Sequence, residues 1–405
     1  MAINRPPTVA IVGGSYVGMN LAKSLLPALP ATHRVVVVEA NSHFHHLFSL
    51  PRFAVLPRGG EEKALIPYTY ALDAVEGQAK ILHAKALAIH TSEQDPSKGW
   101  LKLDRCTDEG DTLDFDYLAI ATGTQLQRPW SLASKQSDAA TAKRQAVETL
   151  QSYQDAVKHA HKIVIVGGGA VGVQVACDIA ELYPAQKSIT LIHSRQQLMN
   201  KFHPDLHKIV TTRFDQRGVQ TVLGSRVVIP PLGFPSFVRA QTFDVELQNG
   251  SKVTADLVLM CTGQTPRSEL LASFAPEAIS PDGFINVRPT LQIASSKCNN
   301  VFALGDIANS RAGKTVRAAF GQVEIVKCNI LHLINEQESE LQHFIPGPSG
   351  IHLSLGLYES IKFGNPPKQG DPPMNKGIER DLSLDMGIEG MWKRWNVPEG
   401  TPWHL

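Results

Sequence analysis

TVAIVGGSYVG, residues Thr8–Gly18, is the stretch that decides how this chain folds. Thr8 to Val12 is a short apolar run, the pattern of a strand buried on both faces. Gly13 and Gly14 end it, and Val17, Leu21 and Leu25 then recur at helical spacing, so a helix begins in the same turn. The first N–H groups of such a helix are unpaired and its dipole end is positive, which suits a pyrophosphate resting against bare backbone. HRVVVVE (His33–Glu39) follows as a second strand. It ends on Glu39, the acid expected about 20 residues on to hold ribose hydroxyls. The spacing predicts a strand–turn–helix–strand unit for a dinucleotide, with one departure: Ser15 stands where the GxGxxG fingerprint has its middle glycine. Gly13, Gly14, Ser15 and Gly18 are the candidate phosphate-side residues, and Glu39 the candidate ribose ligand.

The pattern returns at KIVIVGGGAVGVQVACDIAEL (Lys162–Leu182), now with a complete fingerprint at Gly167, Gly169 and Gly172, and SITLIHS (Ser188–Ser194) supplies the next strand. Gly13 to Glu39 and Gly167 to His193 have the same separation, so His193 takes the place of the ribose-binding acid. Two copies of one supersecondary unit argue for two dinucleotide-binding domains far more strongly than either copy alone. An acid at this position repels a 2′-phosphate, whereas His193, Ser194 and Arg195 accept or attract one, so NADPH is expected alongside NADH. The bland alternative is that these three residues face solvent and do not discriminate. The exits repeat as well: DYLAIATG delivers Thr122 and Gly123, and LVLMCTG delivers Gly263.

Other segments fall into place around the two units. Ala79 to about Asp116 alternates and predicts antiparallel strands joined by the polar SEQDPSKG; Leu126 to about Lys158 predicts a linker and an amphipathic helix. Asn249-Gly250 is a hairpin turn signal. NNVFALGDIA brings a strand to Gly305-Asp306, where a carboxylate can accept hydrogen bonds from a ribityl chain, and a helix over 316–333 follows. In NSHFHHLFSLPRF, His43, His45 and His46 lack a carboxylate or cysteine to complete a metal site, so a loop along a ligand is expected; Arg52 meets a phosphate or flavin carbonyl, or is a surface charge. Trp392, Lys393, Arg394 and Trp395 suit either a membrane surface or a terminal helix packed on the body.

Composition sets the outer limits. A chain of 405 residues needs more than one core, so two large lobes and a smaller third are expected. Its 43% hydrophobic and 19% charged residues, with a net charge of +1, give no reason to expect nucleic acid. Five scattered cysteines suit a reducing compartment, no run of 18 apolar residues spans a bilayer, and MAINRPP has neither a signal core nor a myristoylation glycine. A cytoplasmic location is expected, and the oligomeric state is left open.

IVGGSYVG, FHHLFSLPR, YLAIATG, IVGGGAVGVQVACDIAE, ITLIHS, LVLMCTG, NNVFALGDIA and the late HLSLG and RDL…W pieces together resemble a known group. It is the FAD-dependent pyridine nucleotide-disulphide oxidoreductase superfamily, and within it the AIF-like, ferroptosis-suppressor-like branch of NAD(P)H:quinone oxidoreductases, related to type II NADH dehydrogenases. The resemblance implies an α/β fold of two Rossmann-like domains in glutathione-reductase-like topology plus a small C-terminal α+β region. The expected spans are 1–130 with 280–340 for FAD, 155–279 for NAD(P)H and 341–405 for the C-terminal part. It implies FAD contacts at Gly13, Gly14, Ser15, Gly18, Glu39, Arg52, the backbone near Ala86, Thr122, Gly123, Gly305 and Asp306. NAD(P)H contacts are implied at Gly167, Gly169, Gly172, His193, Ser194, Arg195 and Gly263. Arg128 is the candidate for a family lysine. Two departures stand out: Gln174 replaces an acid after the second fingerprint, and the pocket residues after Lys314 are Arg317, Phe320 and Gln322.

The expected activity is reduction of bound flavin by NAD(P)H and then of a quinone-like or other small organic acceptor, with no catalytic base required for the first half. A dithiol reductase is disfavoured, because no CxxC or CxxxxC occurs. The alternatives are a flavin-dependent oxidase or dehydrogenase of a biosynthetic intermediate, and a redox-sensing interaction protein. Peripheral membrane contact remains open.

Overall fold

Val9, Ala10 and Ile11 lose all contact with solvent, as their unbroken apolar run demands, because the strand Thr8–Val12 has neighbours on both edges and layers on both faces. The computed structural model describes residues 5–72, 77–92, 95, 98–132 and 138–404. In it, the first sheet runs Val301–Ala303, Tyr117–Ile120, Thr8–Val12, Arg34–Glu39, Ala79–His83, all parallel. The helices Tyr16–Leu25 and Val316–Ile334 lie together against one face. A three-stranded antiparallel sheet (Ala86–Thr91, Gly99–Thr107, Gly110–Phe115) belongs to the other, where Ala10, Val36, Leu101 and Phe115 share a core.

One strand departs from the sequence reading. Ala79–His83 is not part of the antiparallel set; it is the outer parallel strand beside Arg34–Glu39, with His83 opposite Glu39. An edge strand is half exposed, so its residues alternate in polarity much as an antiparallel strand does. Part of the SEQDPSKG turn lies outside the described residues.

The second unit builds a parallel sheet in the order Gln220–Leu223, Ser188–His193, Lys162–Val166, Leu257–Met260. The hairpin Phe243–Glu246/Lys252–Ala255 lies beside it, with Gly250 of its turn at φ +83°. The two nucleotide units meet where their strands exit: Thr124–Gln125 pairs antiparallel with Thr265–Pro266. Ahead of the second unit, the helix Ala139–His159 starts at Asp138, whose carboxylate accepts from the Thr141 N–H at 2.7 Å. At the C-terminal end, Gly350–Ser354, Ser360–Gly364 and Met374–Glu379 form an antiparallel sheet, followed by the helix Ile388–Arg394.

That last helix settles the tryptophans. Trp392 and Trp395 are buried; the Trp392 indole N–H donates to the Lys63 carbonyl at 2.8 Å, and Trp395 stacks on Phe44 with ring centroids 4.1 Å apart. Both rings belong to the body, so the membrane-facing reading of these two residues does not hold.

Arg52 brings the three parts together. It sits on the short helix Leu50–Phe53, and both it and Asp178 of the helix Ala170–Leu182 are 0% exposed. Nε donates to Asp178 Oδ2 at 2.7 Å, Nη2 to Ser354 Oγ at 3.0 Å and the Gly356 carbonyl at 2.8 Å, and Nη1 to the Leu357 carbonyl at 2.8 Å and the Leu384 carbonyl at 3.4 Å. Every donor of the guanidinium is engaged, which corrects the assignment of Arg52 as a phosphate or flavin contact. Burial pushes the Asp178 carboxyl pKa up, against the pull of the Arg52 guanidinium beside it. Arg52→Met strands a buried carboxylate and is expected to cost about 3–5 kcal/mol, whereas Arg52→Met combined with Asp178→Leu recovers most of the loss. Thermal melts of the three proteins check this; a double variant no more stable than the single one contradicts it.

Candidate functional site

Each nucleotide turn is shaped by what it leaves no room for. A Cβ on Gly13, at φ +104°, would lie 2.4 Å from the Ala121 carbonyl oxygen, and one on Gly18 would lie 1.8 Å from the Gly13 oxygen. The second turn repeats this, with 2.5 Å from Gly167 to the Cys261 oxygen and 1.9 Å from Gly172 to the Gly167 oxygen. These four glycines let the helix approach the strand and the neighbouring strand exit crowd the turn. Gly169 differs, because a Cβ there would meet nothing within 4 Å. Packing within the fold therefore does not demand a glycine at this position. Ser15 holds the equivalent place in the first turn, half-buried at the start of the helix Tyr16–Leu25 and with no capping hydrogen bond from its hydroxyl. The departure from the fingerprint thus falls at the position whose counterpart, Gly169, has open space beside it.

The second-strand termini are matched in geometry and opposite in chemistry. Glu39 is buried; Oε2 accepts from the Gly14 N–H at 2.6 Å and Oε1 from the Asn41 backbone N–H at 2.7 Å and side chain at 2.8 Å. His193 Nδ1 accepts from the Gly168 N–H at 3.1 Å, the same bond made by a ring. Burial lowers the His193 pKa and the Arg195 cation adds to this, so the ring is neutral at pH 7 and keeps Nδ1 as an acceptor. Ser194 is half-buried and Arg195 exposed. The cation of this lip is thus Arg195, not His193.

Asp306 lies on the 3-10 turn Gly305–Ile307, and the helix Val316–Ile334 starts later, at the Thr315 cap. Gly305, at φ +79°, donates its N–H to Gln322 Oε1 at 2.8 Å, and Gln322 Nε2 donates to Ser310 Oγ at 3.0 Å. Gln322 is buried as a brace for the Gly305-Asp306 turn, which removes it from the expected acceptor pocket. Arg317 and Phe320 remain exposed, Phe320 at 44%. Burial raises the Asp306 pKa while Lys314 and Lys201 pull it down, and the carboxylate has no hydrogen-bond partner among the described residues. A half-buried acceptor without protein donors fits the hydroxyls of a ribityl chain.

The remaining candidates are spread about these turns. Thr122 Oγ1 donates to the Arg267 carbonyl at 2.7 Å, and Gly123 and Gly263 stand at φ +64° and +76° where the two exits meet. Ala86 is buried at the head of its strand, paired with Leu103, and Arg128 is exposed. Gln174 is turned toward the C-terminal tail, its Nε2 3.6 Å from Met386 Sδ. His43 Nδ1 lies 2.9 Å from Ser42 Oγ, and His46 Nδ1 2.8 Å from the Tyr16 hydroxyl, so these rings pin the loop to its surroundings. Tyr68, whose hydroxyl donates to the Gly14 carbonyl at 3.0 Å, braces the first turn from a segment without any local motif. All five cysteines are free, and burial pushes Cys177 up to about 12 and Cys298 to about 11, far from a reactive thiolate.

Comparison with known proteins agrees with this geometry. Residues 7–322 match the family described as pyridine nucleotide-disulphide oxidoreductase. Fe-regulated protein 8 of Mycosarcoma maydis is 34% identical over 414 residues, covering 99% of this chain and 98% of that protein. Human ferroptosis suppressor protein 1 is 28% identical over 361 residues, 87% of each chain. The sulfide:quinone oxidoreductase of Aquifex aeolicus shares the fold with a TM-score of 0.72 at 18% identity, covering 97% of this chain and 93% of its own. The NADH-bound, water-forming NADH oxidase of Lactobacillus brevis does so with a TM-score of 0.59 at 19% identity, over 88% and 75%.

Two outcomes are expected. Asp306→Ala should purify with little flavin, read from the ratio of flavin to protein absorbance, and full retention would exclude its ribityl role. Gly169→Ala should keep the wild-type melting temperature yet weaken NAD(P)H binding in a titration, whereas Gly172→Ala should lower the melting temperature itself. Equal melting temperatures for the two variants would refute the division of labour between these glycines.

Proposed function

We propose that this chain, which belongs to the pyridine nucleotide-disulphide oxidoreductase family and is an FAD-dependent enzyme, uses NAD(P)H to reduce a small organic acceptor of quinone type. The observation that carries the reading is the matched pair of turns at Gly13–Gly18 and Gly167–Gly172, whose strand exits join through Thr124–Gln125 and Thr265–Pro266. That pairing sets the two nucleotide sites at a fixed distance, the requirement for transfer between two bound cofactors. The first turn, with Glu39 and Asp306, would hold FAD; the second, with His193 and Arg195 at its lip, would hold NAD(P)H.

FAD held by the first turn would supply the two-electron chemistry between NAD(P)H and the acceptor. The chain supplies position. Glu39 Oε1 accepts from Asn41 on one side, and Oε2 is held by the Gly14 N–H, so its carboxylate keeps one orientation toward a ribose. The Gln322 brace fixes the Gly305-Asp306 turn in the same way. No side chain is required to move a proton in the first half-reaction. The burial of the Cys177 and Cys298 thiols and the absence of CxxC or CxxxxC in the sequence disfavour a dithiol relay, so electrons leave to an external acceptor. Phe320 and Arg317, exposed at the start of the helix Val316–Ile334, form the surface we assign to its approach.

Stopped-flow mixing with NADH and with NADPH should bleach the flavin rapidly with at least one of them; bleaching by neither ends the enzymatic reading. Reoxidation by quinones, oxygen and disulfides, run in parallel, then identifies the acceptor class, with quinones expected fastest. Arg195→Glu should lower the NADPH-to-NADH ratio by about tenfold, roughly one charge–phosphate contact. An unchanged ratio would free the lip of any part in coenzyme choice.

A further inference from the structure

The segment joining the strands Gln220–Leu223 and Phe243–Glu246 has no part in either nucleotide turn, yet it is built with care. It reads SRVVIPPLGFPSFVRAQ over Ser225–Gln241 and carries Arg226 and Arg239 with no acidic residue. Its base is anchored: Val227 is buried, Phe234 stacks near Phe243 with ring centroids 6.3 Å apart, and Phe237 packs against the main core. Two reverse turns shape the rest, closed by the Gly233 N–H on the Pro230 carbonyl at 2.8 Å and the Gln241 N–H on the Val238 carbonyl at 3.2 Å. The first holds Leu232 at its apex, 100% exposed, beside Ile229 at 53%, with Val228 and Val238 also exposed. Arg226 and Arg239 are exposed alongside them.

A loop that folds two aromatic rings inward and still presents four branched apolar side chains outward has not collapsed for want of a core. Consecutive prolines at 230 and 231 stiffen the projection. We propose that this loop is a peripheral membrane-docking element, which inserts Leu232 and Ile229 below the head groups of an anionic lipid surface while Arg226 and Arg239 meet those head groups. Apolar tips flanked by cations with no acid are what an anionic interface selects. The hairpin that follows adds Asp244 and Glu246, with Lys252 3.8 Å from Asp244 and in register with Glu246, so its acids outnumber its cation by one and the two arginines of the loop remain in excess. A protein partner fits less well, because a stable interface uses about 20–30 residues a side and this tip offers a handful. No helix among the described residues is long and apolar enough to cross a membrane, so the contact is a surface one. The proposal stands on this loop alone and does not depend on the identity of the acceptor.

The test is flotation of the full-length, FAD-loaded protein with phosphatidylcholine vesicles that contain or lack phosphatidylserine. The wild type should float with the anionic vesicles, less with the neutral ones, and less as salt is added. Leu232→Asp combined with Ile229→Asp should abolish flotation with flavin content and circular dichroism unchanged, and Arg226→Gln or Arg239→Gln should each weaken it about fivefold at low salt. The proposal is overturned if the wild type stays down with anionic vesicles, or if the double aspartate variant floats equally well. It is likewise overturned if sedimentation shows a vesicle-indifferent dimer that the same variant dissociates, since the loop would then cover a second copy of the chain.

Discussion

The fold depends on the closeness of backbone to backbone at two turns. At Gly18 and Gly172 a single methyl carbon would lie within 2 Å of a carbonyl oxygen, and at Gly13 and Gly167 within about 2.5 Å of the oxygen of the neighbouring strand exit. Side chains at these points would push each helix off its strand and close the space in front of the helix N-terminus, which is where an anion finds unpaired N–H groups. The remaining features of the two sites are arranged around that bare backbone: an acceptor on the next strand, a second exit alongside, and a strand pair that ties the exits together.

A second constraint sets the three parts against one another. The buried pair Arg52–Asp178 reaches from the first nucleotide unit to the second, and the same guanidinium takes carbonyls from Gly356 and Leu357 of the C-terminal part. A buried charge needs its partners in full, so this cluster tolerates one arrangement of the parts and penalises others. The C-terminal segment is thereby part of the nucleotide-binding body, a role reinforced by Trp392 on Lys63 and Trp395 on Phe44.

The two lips set one backbone device against two different side-chain chemistries. Glu39 and His193 each accept the N–H of the residue after the first fingerprint glycine, Gly14 and Gly168, so the bond is common while the charge is not. A carboxylate opposes a 2′-phosphate; a neutral ring beside an exposed guanidinium does not. Family membership and the use of FAD and NAD(P)H agree with two such turns in one chain.

Much of this was legible in the chain itself. Glycine spacing, apolar runs and the repeat from Gly13–Glu39 to Gly167–His193 are local properties, and local geometry alone dictates them: a strand, a tight turn and a helix need those residue types at those intervals. The exits at Thr122-Gly123 and Gly263, the hairpin at Asn249-Gly250 and the Gly305-Asp306 turn were readable for the same reason. What the tertiary structure decided were partners far apart in sequence. Arg52 looked like a ligand contact until Asp178 and the carbonyls near residue 356 consumed its donors. Gln322 looked like a pocket residue but braces Gly305, and Ala79–His83 looked antiparallel but lies parallel at a sheet edge. A side chain's type announces what it can bond, whereas which of its bonds are already taken is settled only when distant segments are packed together.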